Sequence, residues 1–151
     1  RLSLVGSEMC IRDRIKEGKK IAIINFGARL SECLMASENL SKKGVNPTIV
    51  DARFAKPLDE NLFWQIATDH EAIISIEEGS IGGFGSHLSH FLSEKNLIDN
   101  NLKFRSMILP DTFIDHDKPD IMYKNAGLDS QNIVNKVFDT LNSKVIIKKS
   151  N

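Results

Sequence analysis

Glu77 and Glu78 stand side by side directly before a glycine-rich run, Gly79-Ser80-Ile81-Gly82-Gly83-Phe84-Gly85-Ser86. Glycines let a backbone approach an anion closely, and a helix starting near Gly83 would offer free N–H groups at its N-terminus. The run nevertheless lacks the Lys-Ser/Thr that a phosphate loop needs, and two adjacent carboxylates repel a phosphate. The preferred reading of Gly82, Gly83 and Gly85 is therefore a tight turn that passes close to a neighbouring chain or domain. Arg29 and Arg53 are placed to grip a carboxylate or phosphate, or to make structural ion pairs, and Asp51 precedes Arg53 in the segment Asp51-Ala52-Arg53-Phe54. His87, His90 and Glu94 share one helix face, but His-x-x-His is not the spacing of the common zinc helix, so a solvated face is preferred. Asp111, Asp115, His116 and Asp117 lack the glycine and spacing of a calcium loop and read as turn chemistry. Ser80 and Ser86 have no Gly-x-Ser-x-Gly elbow, and Cys33 sits on an apolar helical stripe, where a buried thiol is the default. The chain holds no complete active site by this reading.

Alternating strand and helix patterns must position these residues. Ile21 to Phe26 is short, branched and apolar, as for a strand covered on both faces, and Gly27 breaks it. Leu30, Cys33, Leu34, Ser37 and Leu40 recur at helical spacing and Gly44 supplies a stop. Pro47 to Ala52, Ala72 to Ile76 and Lys103 to Leu109 read as further strands, with a helix from Gly83 to Lys95 between the last two. Asp59 with Leu58 and Phe63, and Asp129 with Leu128 and Ile133, mark two helix starts built from a cap and a hydrophobic staple. Ile133, Val134, Val137, Phe138 and Leu141 form the stripe of a closing helix. Short crossovers of this kind are right-handed and make parallel neighbours, so the expected fold is a three-layer α/β/α domain on a mostly parallel sheet of about four to five strands. In such sheets ligands gather at the carboxyl ends of the strands, where the candidate residues lie.

The composition fits this picture. A chain of 151 residues suits one domain, since domains usually run to ~100–200 residues. Hydrophobic residues at 41% and charged residues at 26% are ordinary globular values, which exclude global disorder. Lys+Arg and Asp+Glu balance at 20 each, so no global field draws nucleic acid or an anionic membrane. No apolar run approaches the ~20 residues that span a bilayer. Cys10 and Cys33 match neither a zinc spacing nor a dense disulfide framework, which points to a reducing compartment. Residues 1–14 (RLSLVGSEMCIRDR) follow neither period and resemble translated adaptor sequence, so the expectation is a non-native segment over 1–14, a domain over 15–142 and a polar tail over 143–151.

The strand-end segments resemble one family specifically. Gly27-Ala28-Arg29-Leu30, then Val50-Asp51-Ala52-Arg53-Phe54-Ala55-Lys56-Pro57-Leu58-Asp59, then Glu77 to Ser86, then Leu109-Pro110-Asp111-Thr112-Phe113-Ile114 are similar to the C-terminal domain of 1-deoxy-D-xylulose-5-phosphate synthases. The second segment is shared more loosely with other thiamine-diphosphate enzymes of the transketolase class, and Pro-Asp-x-Phe-Ile favours the synthase. The resemblance runs from about Ile15 to about Leu141 and implies one antiparallel edge strand near Ile11 to Lys16. It implies a full-length transferase that uses thiamine diphosphate and Mg²⁺ to join pyruvate to glyceraldehyde 3-phosphate, a homodimer, and a cytoplasmic location, with a plastid address left open. The metal motif Gly-Asp-Gly and the family's catalytic groups belong to upstream domains, and no glycine here is followed by Asp. The resemblance therefore implies no cofactor on this segment, and a role in assembly against the upstream domains of the same chain. A free-standing α/β module for small anions, and the equivalent domain of a transketolase or of a 2-oxoacid dehydrogenase β subunit, are the alternatives.

Overall fold

The computed structural model describes residues 14–142. The segments 1–13 and 143–151, and with them Cys10 and most of the expected scar, lie outside the described residues. Among the described residues five strands form one sheet in the order β1-β3-β2-β4-β5: β1 (Arg14–Lys16), β2 (Lys20–Phe26), β3 (Thr48–Asp51), β4 (His70–Glu77) and β5 (Lys103–Met107). β2, β3, β4 and β5 run parallel to their neighbours, while β1 pairs antiparallel with β3, Arg14 opposite Val50 and Lys16 opposite Ile49. This is the expected edge strand, in its last three residues; Ile11 to Asp13 are outside the described part.

Among the described residues five α-helices complete the layers: α1 (Leu30–Lys42), α2 (Glu60–Asp69), α3 (Phe84–Glu94), α4 (Pro119–Asn125) and α5 (Ser130–Asn142). Because side chains alternate across a strand, the apolar runs divide between two cores. Ala22, Ile24, Val50 and Ile73 meet Leu62, Phe63 and Ile66 of α2 and Phe84 and Leu88 of α3. Ile21, Ile23, Ile49, Ile74 and Ile76 meet Cys33, Ala36 and Leu40 of α1 and Ile133, Val134 and Val137 of α5. Both faces are covered, as the unbroken branched runs require. The two caps read from sequence form: Asp59 Oδ1 accepts from Leu62 N–H at 3.0 Å, and Asp129 Oδ1 accepts from Asn132 N–H at 3.0 Å.

Most boundaries fall within one residue of expectation; two strand ends and one helix differ further. β5 ends at Met107 rather than Leu109, because Leu109 N–H turns to donate to Gly79 C=O at 2.9 Å. β4 begins at His70, two polar residues before the apolar run. His70 earns its place in the strand through its ring, which lies 2.7 Å from Thr48 Oγ1 and 2.8 Å from Ile66 C=O, bridging β3 to the end of α2. α4 has no fully buried residue to announce it and opens on Pro119.

Cys33 is fully buried, as its helical stripe implied. Desolvation, with the charges of Glu32 and Asp51 adding to it, pushes its thiol up to about 12. An unfolded thiol titrates near ~8.5, so the folded state keeps a proton that the unfolded state gives up as pH rises. The contribution of Cys33 to stability is whole below the unfolded value and is lost progressively as pH climbs toward the folded one. Peptide-resolved alkylation at pH 8 is expected to leave Cys33 unlabelled until denaturant unfolds the domain; rapid labelling of Cys33 in the native protein contradicts this placement.

Candidate functional site: the carboxyl ends of the strands

The two glutamates at the end of β4 separate by strand parity. Glu77 shares a face with Ile73 and turns toward α3; Glu78 shares the opposite face with Ile74 and Ile76 and turns toward α1. Glu77 is only 4% exposed, and its carboxylate accepts from Phe84 N–H at 2.8 Å (Oε2) and from Gly85 N–H at 2.9 Å (Oε1). The chain's own carboxylate thus occupies the helix N-terminus that could have held an anion, with the charge sign that the helix dipole favours there.

This arrangement explains two glycines of the run. A Cβ on Gly83, the residue that precedes α3, would stand 2.4 Å from Glu77 Oε2 and 2.9 Å from its Cδ. A Cβ on Gly85 would stand 2.8 Å from Ser75 Oγ and 3.1 Å from Ser106 Cβ. The close approach anticipated from sequence is made inside the chain, between α3 and the ends of β4 and β5. Gly82 is needed for another reason: its φ of +101° lies where L side chains are strained, and open space surrounds it.

On the other face Arg29 Nε lies 2.8 Å from Glu78 Oε1, with both side chains mostly buried, as a charge contact rather than a well-directed hydrogen bond. The Arg29 guanidinium also stacks 3.8 Å from the centre of the Tyr123 ring. A hydrogen bond to Glu78, and then that carboxylate's charge, raise the Tyr123 hydroxyl above its ordinary pKa. Arg29 therefore makes the structural ion pair, the second of the two roles open to it from sequence. Tyr123 was not anticipated, since it belongs to the unanticipated α4. Asp51 pairs in register with Asn25, whose buried amide donates to Asp51 Oδ1 at 2.7 Å and to Gly27 C=O at 2.9 Å. A polar residue closing an otherwise apolar run was the signal for Asn25.

The remaining candidates lie on the surface. Arg53 is exposed in the loop after β3, and Asp111 and His116 are exposed in the segment between β5 and α4. His90 and Glu94 are exposed and His87 half-buried on α3, and among the described residues no group of three or more His, Cys, Asp or Glu could hold a metal ion. A cavity of about 880 Å³ lies at the opposite end of the sheet, lined by Glu17, Gly18, Asn46 and Asn142 among others. Among the described residues no helix is long and apolar enough to cross a membrane.

Comparison with known proteins agrees with the fold. A split-gene transketolase, an inactive beta4 tetramer, matches with a TM-score of 0.76 at 28% identity, over 85% of this chain and 41% of that one. The transketolase of Pichia stipitis in complex with sedoheptulose-7-phosphate matches with a TM-score of 0.62 at 16% identity, over 85% of this chain and 17% of that one, a likeness of fold alone. The chain thus spans less than half the length of these relatives. Residues 12–133 match the family described as the transketolase C-terminal domain, and the chain belongs to that family.

Proposed function

We propose that this chain is the C-terminal domain of a thiamine-diphosphate-dependent 1-deoxy-D-xylulose-5-phosphate synthase, with residues 15–142 as the domain, and that it serves assembly rather than chemistry. The whole enzyme would condense pyruvate with glyceraldehyde 3-phosphate and release CO₂, in the cytoplasm, as a homodimer. The family match supports the domain assignment. The segment Pro110-Asp111-Thr112-Phe113-Ile114 is the observation that favours the synthase over a transketolase or a 2-oxoacid dehydrogenase β subunit.

The residues at the strand ends do not fit thiamine diphosphate or its Mg²⁺. The α3 N-terminus, the one backbone cradle beside the glycine run, is filled by Glu77, and Glu78 is engaged by Arg29. A diphosphate brought there would face a buried carboxylate in place of free N–H groups. The same observation weighs against a free-standing anion-binding module. The split-gene transketolase, described as an inactive beta4 tetramer, supports a role in assembly.

The test is to recover the uninterrupted gene, express its product and supply thiamine diphosphate and Mg²⁺ with pyruvate and glyceraldehyde 3-phosphate. Formation of 1-deoxy-D-xylulose 5-phosphate with CO₂ is the expected result. Ketol transfer between sugar phosphates would assign a transketolase instead, and a gene that opens near Ile15 would contradict the domain reading altogether.

A further inference from the structure

The outer side of β5 pairs with no further strand among the described residues, so part of its backbone stands ready to bond another chain. Two contacts show which part. Leu109 N–H donates to Gly79 C=O at 2.9 Å, on the β4 side, while Phe104 C=O accepts from the exposed Arg105 Nη1 at 2.7 Å. Backbone groups alternate in direction along a strand, so Arg105, Met107 and Leu109 turn toward β4, and Phe104, Ser106 and Ile108 turn outward. Arg105 covers the outward carbonyl of Phe104. Ser106 and Ile108 present the next outward donors and acceptors.

A cavity of about 440 Å³ lies along this half of the strand, with Ser106 and Ile108 on one wall and Asn135, Lys136 and Asp139 of α5 on the other. An open strand facing a helix across a groove is a geometry in which one chain takes up an extended segment of another. Main-chain hydrogen bonds then hold the segment, and side chains on the wall select it. Here the wall is charged and unengaged. Lys136 and Asp139 stand one turn apart on α5, yet neither has an ion-pair partner among the described residues.

We propose that this groove binds an extended segment of a partner protein, added as a strand to β5, with an acidic and a basic side chain two residues apart that meet Lys136 and Asp139. Side chains two apart on a strand are separated by ~6.5 Å, and the three-residue step on the helix rises ~4.5 Å, a mismatch that flexible side chains absorb. α5 runs opposite to β5: Lys103, at the start of the strand, donates to Thr140 C=O and Leu141 C=O at the end of the helix, each at 3.1 Å. A segment antiparallel to β5 therefore meets Lys136 before Asp139 and reads Glu-x-Lys. A second copy of this chain is the poorer occupant. In antiparallel pairings of two β5 strands centred on Phe104 or Arg105, Arg105 would face Lys103 or its own counterpart, and like charges directly opposite destabilise. The groove lies along the flank of the sheet, away from the strand ends, and its use does not depend on which reaction the whole enzyme performs.

Nuclear magnetic resonance of the isotopically labelled 151-residue chain tests this, by titration with the capped peptide Thr-Thr-Glu-Thr-Lys-Thr-Thr. Saturable shifts of the Ser106 and Ile108 amides are expected, with a Kd on the order of 1 mM. The same peptide methylated on the amide nitrogens that face β5 is expected to bind at least about ten-fold more weakly. Absence of saturable shifts at these amides overturns the proposal, and so does equal binding of the methylated peptide. Exchanging the two wall charges, Lys136→Glu with Asp139→Lys, gives the sharper arm. The melting temperature is expected to stay within about 2 °C, as for surface positions. The preference for Glu-x-Lys over Lys-x-Glu peptides is expected to reverse, by about five-fold. An unchanged preference overturns the proposal. Slow hydrogen exchange at Ser106 and Ile108 in the peptide-free chain also overturns it: independent of concentration, it means that a segment of the same chain covers β5, and rising with concentration, that a second copy does.

Discussion

Gly83→Val is expected to destabilise the domain by on the order of 3–5 kcal/mol, a large part of the ~5–15 kcal/mol that holds a typical domain together. The first atom of the new side chain would fall 2.4 Å from Glu77 Oε2, and that carboxylate cannot step aside without giving up the N–H groups of Phe84 and Gly85. Overpacking and the loss of a buried, charged cap therefore act together. Gly82→Ala is the informative contrast. It meets open space and carries only the strain of a φ of +101°, roughly 1 kcal/mol. Urea unfolding of the three proteins with a shared m-value checks both numbers. A Gly83→Val protein as stable as its parent would contradict the Glu77 cap.

Glu77→Ala is expected to cost roughly 3 kcal/mol, because it leaves two N–H groups at the buried start of α3 without their acceptor and removes a favourable charge from the helix dipole. Glu78→Ala, one residue away, is expected to cost only about 1 kcal/mol, the upper end for a partly exposed ion pair. The same urea titration ranks the two, and α3 should show the larger loss of amide protection in Glu77→Ala. Equal costs for the two substitutions would mean that the parity assignment of the glutamates is wrong.

The layers of this fold were legible because the sequence writes them redundantly. Ile21, Ile23 and Ile74 on one face and Ile24 and Ile73 on the other belong to unbroken branched runs that only a doubly covered sheet can use, and Asp59 and Asp129 cap the helices that their flanking residues announce. The edge strand came from the family resemblance, since three residues with one apolar member carry too little pattern to be read alone. α4 was illegible for a similar reason: a seven-residue helix without a fully buried side chain leaves no stripe. Its Tyr123 joined Arg29 and Glu78 unseen.

The site was half legible. Sequence placed Glu77, Glu78, Gly83 and Gly85 at one strand end; Glu77 meets both glycines, while Glu78 turns to the opposite face and meets Arg29. What it left open was which carboxylate turns inward. Counting alternate positions back from Glu77 through Ser75 to Ile73 reveals the answer once the face of Ile73 is known, and that face depends on helices far along the chain. The glycines then follow from a contact partner seven or so residues away instead of from a ligand or a neighbouring domain.

We propose that this domain serves assembly and carries no cofactor, because its own Glu77 carboxylate fills the N-terminus of α3 at the end of β4. The most direct measurement is calorimetric titration of the folded 151-residue chain with thiamine diphosphate in the presence of Mg²⁺. The expected result is no saturable heat from a protein whose circular dichroism shows the α/β fold intact. Saturable binding would contradict the claim, since the diphosphate would need a seat that Glu77 already holds.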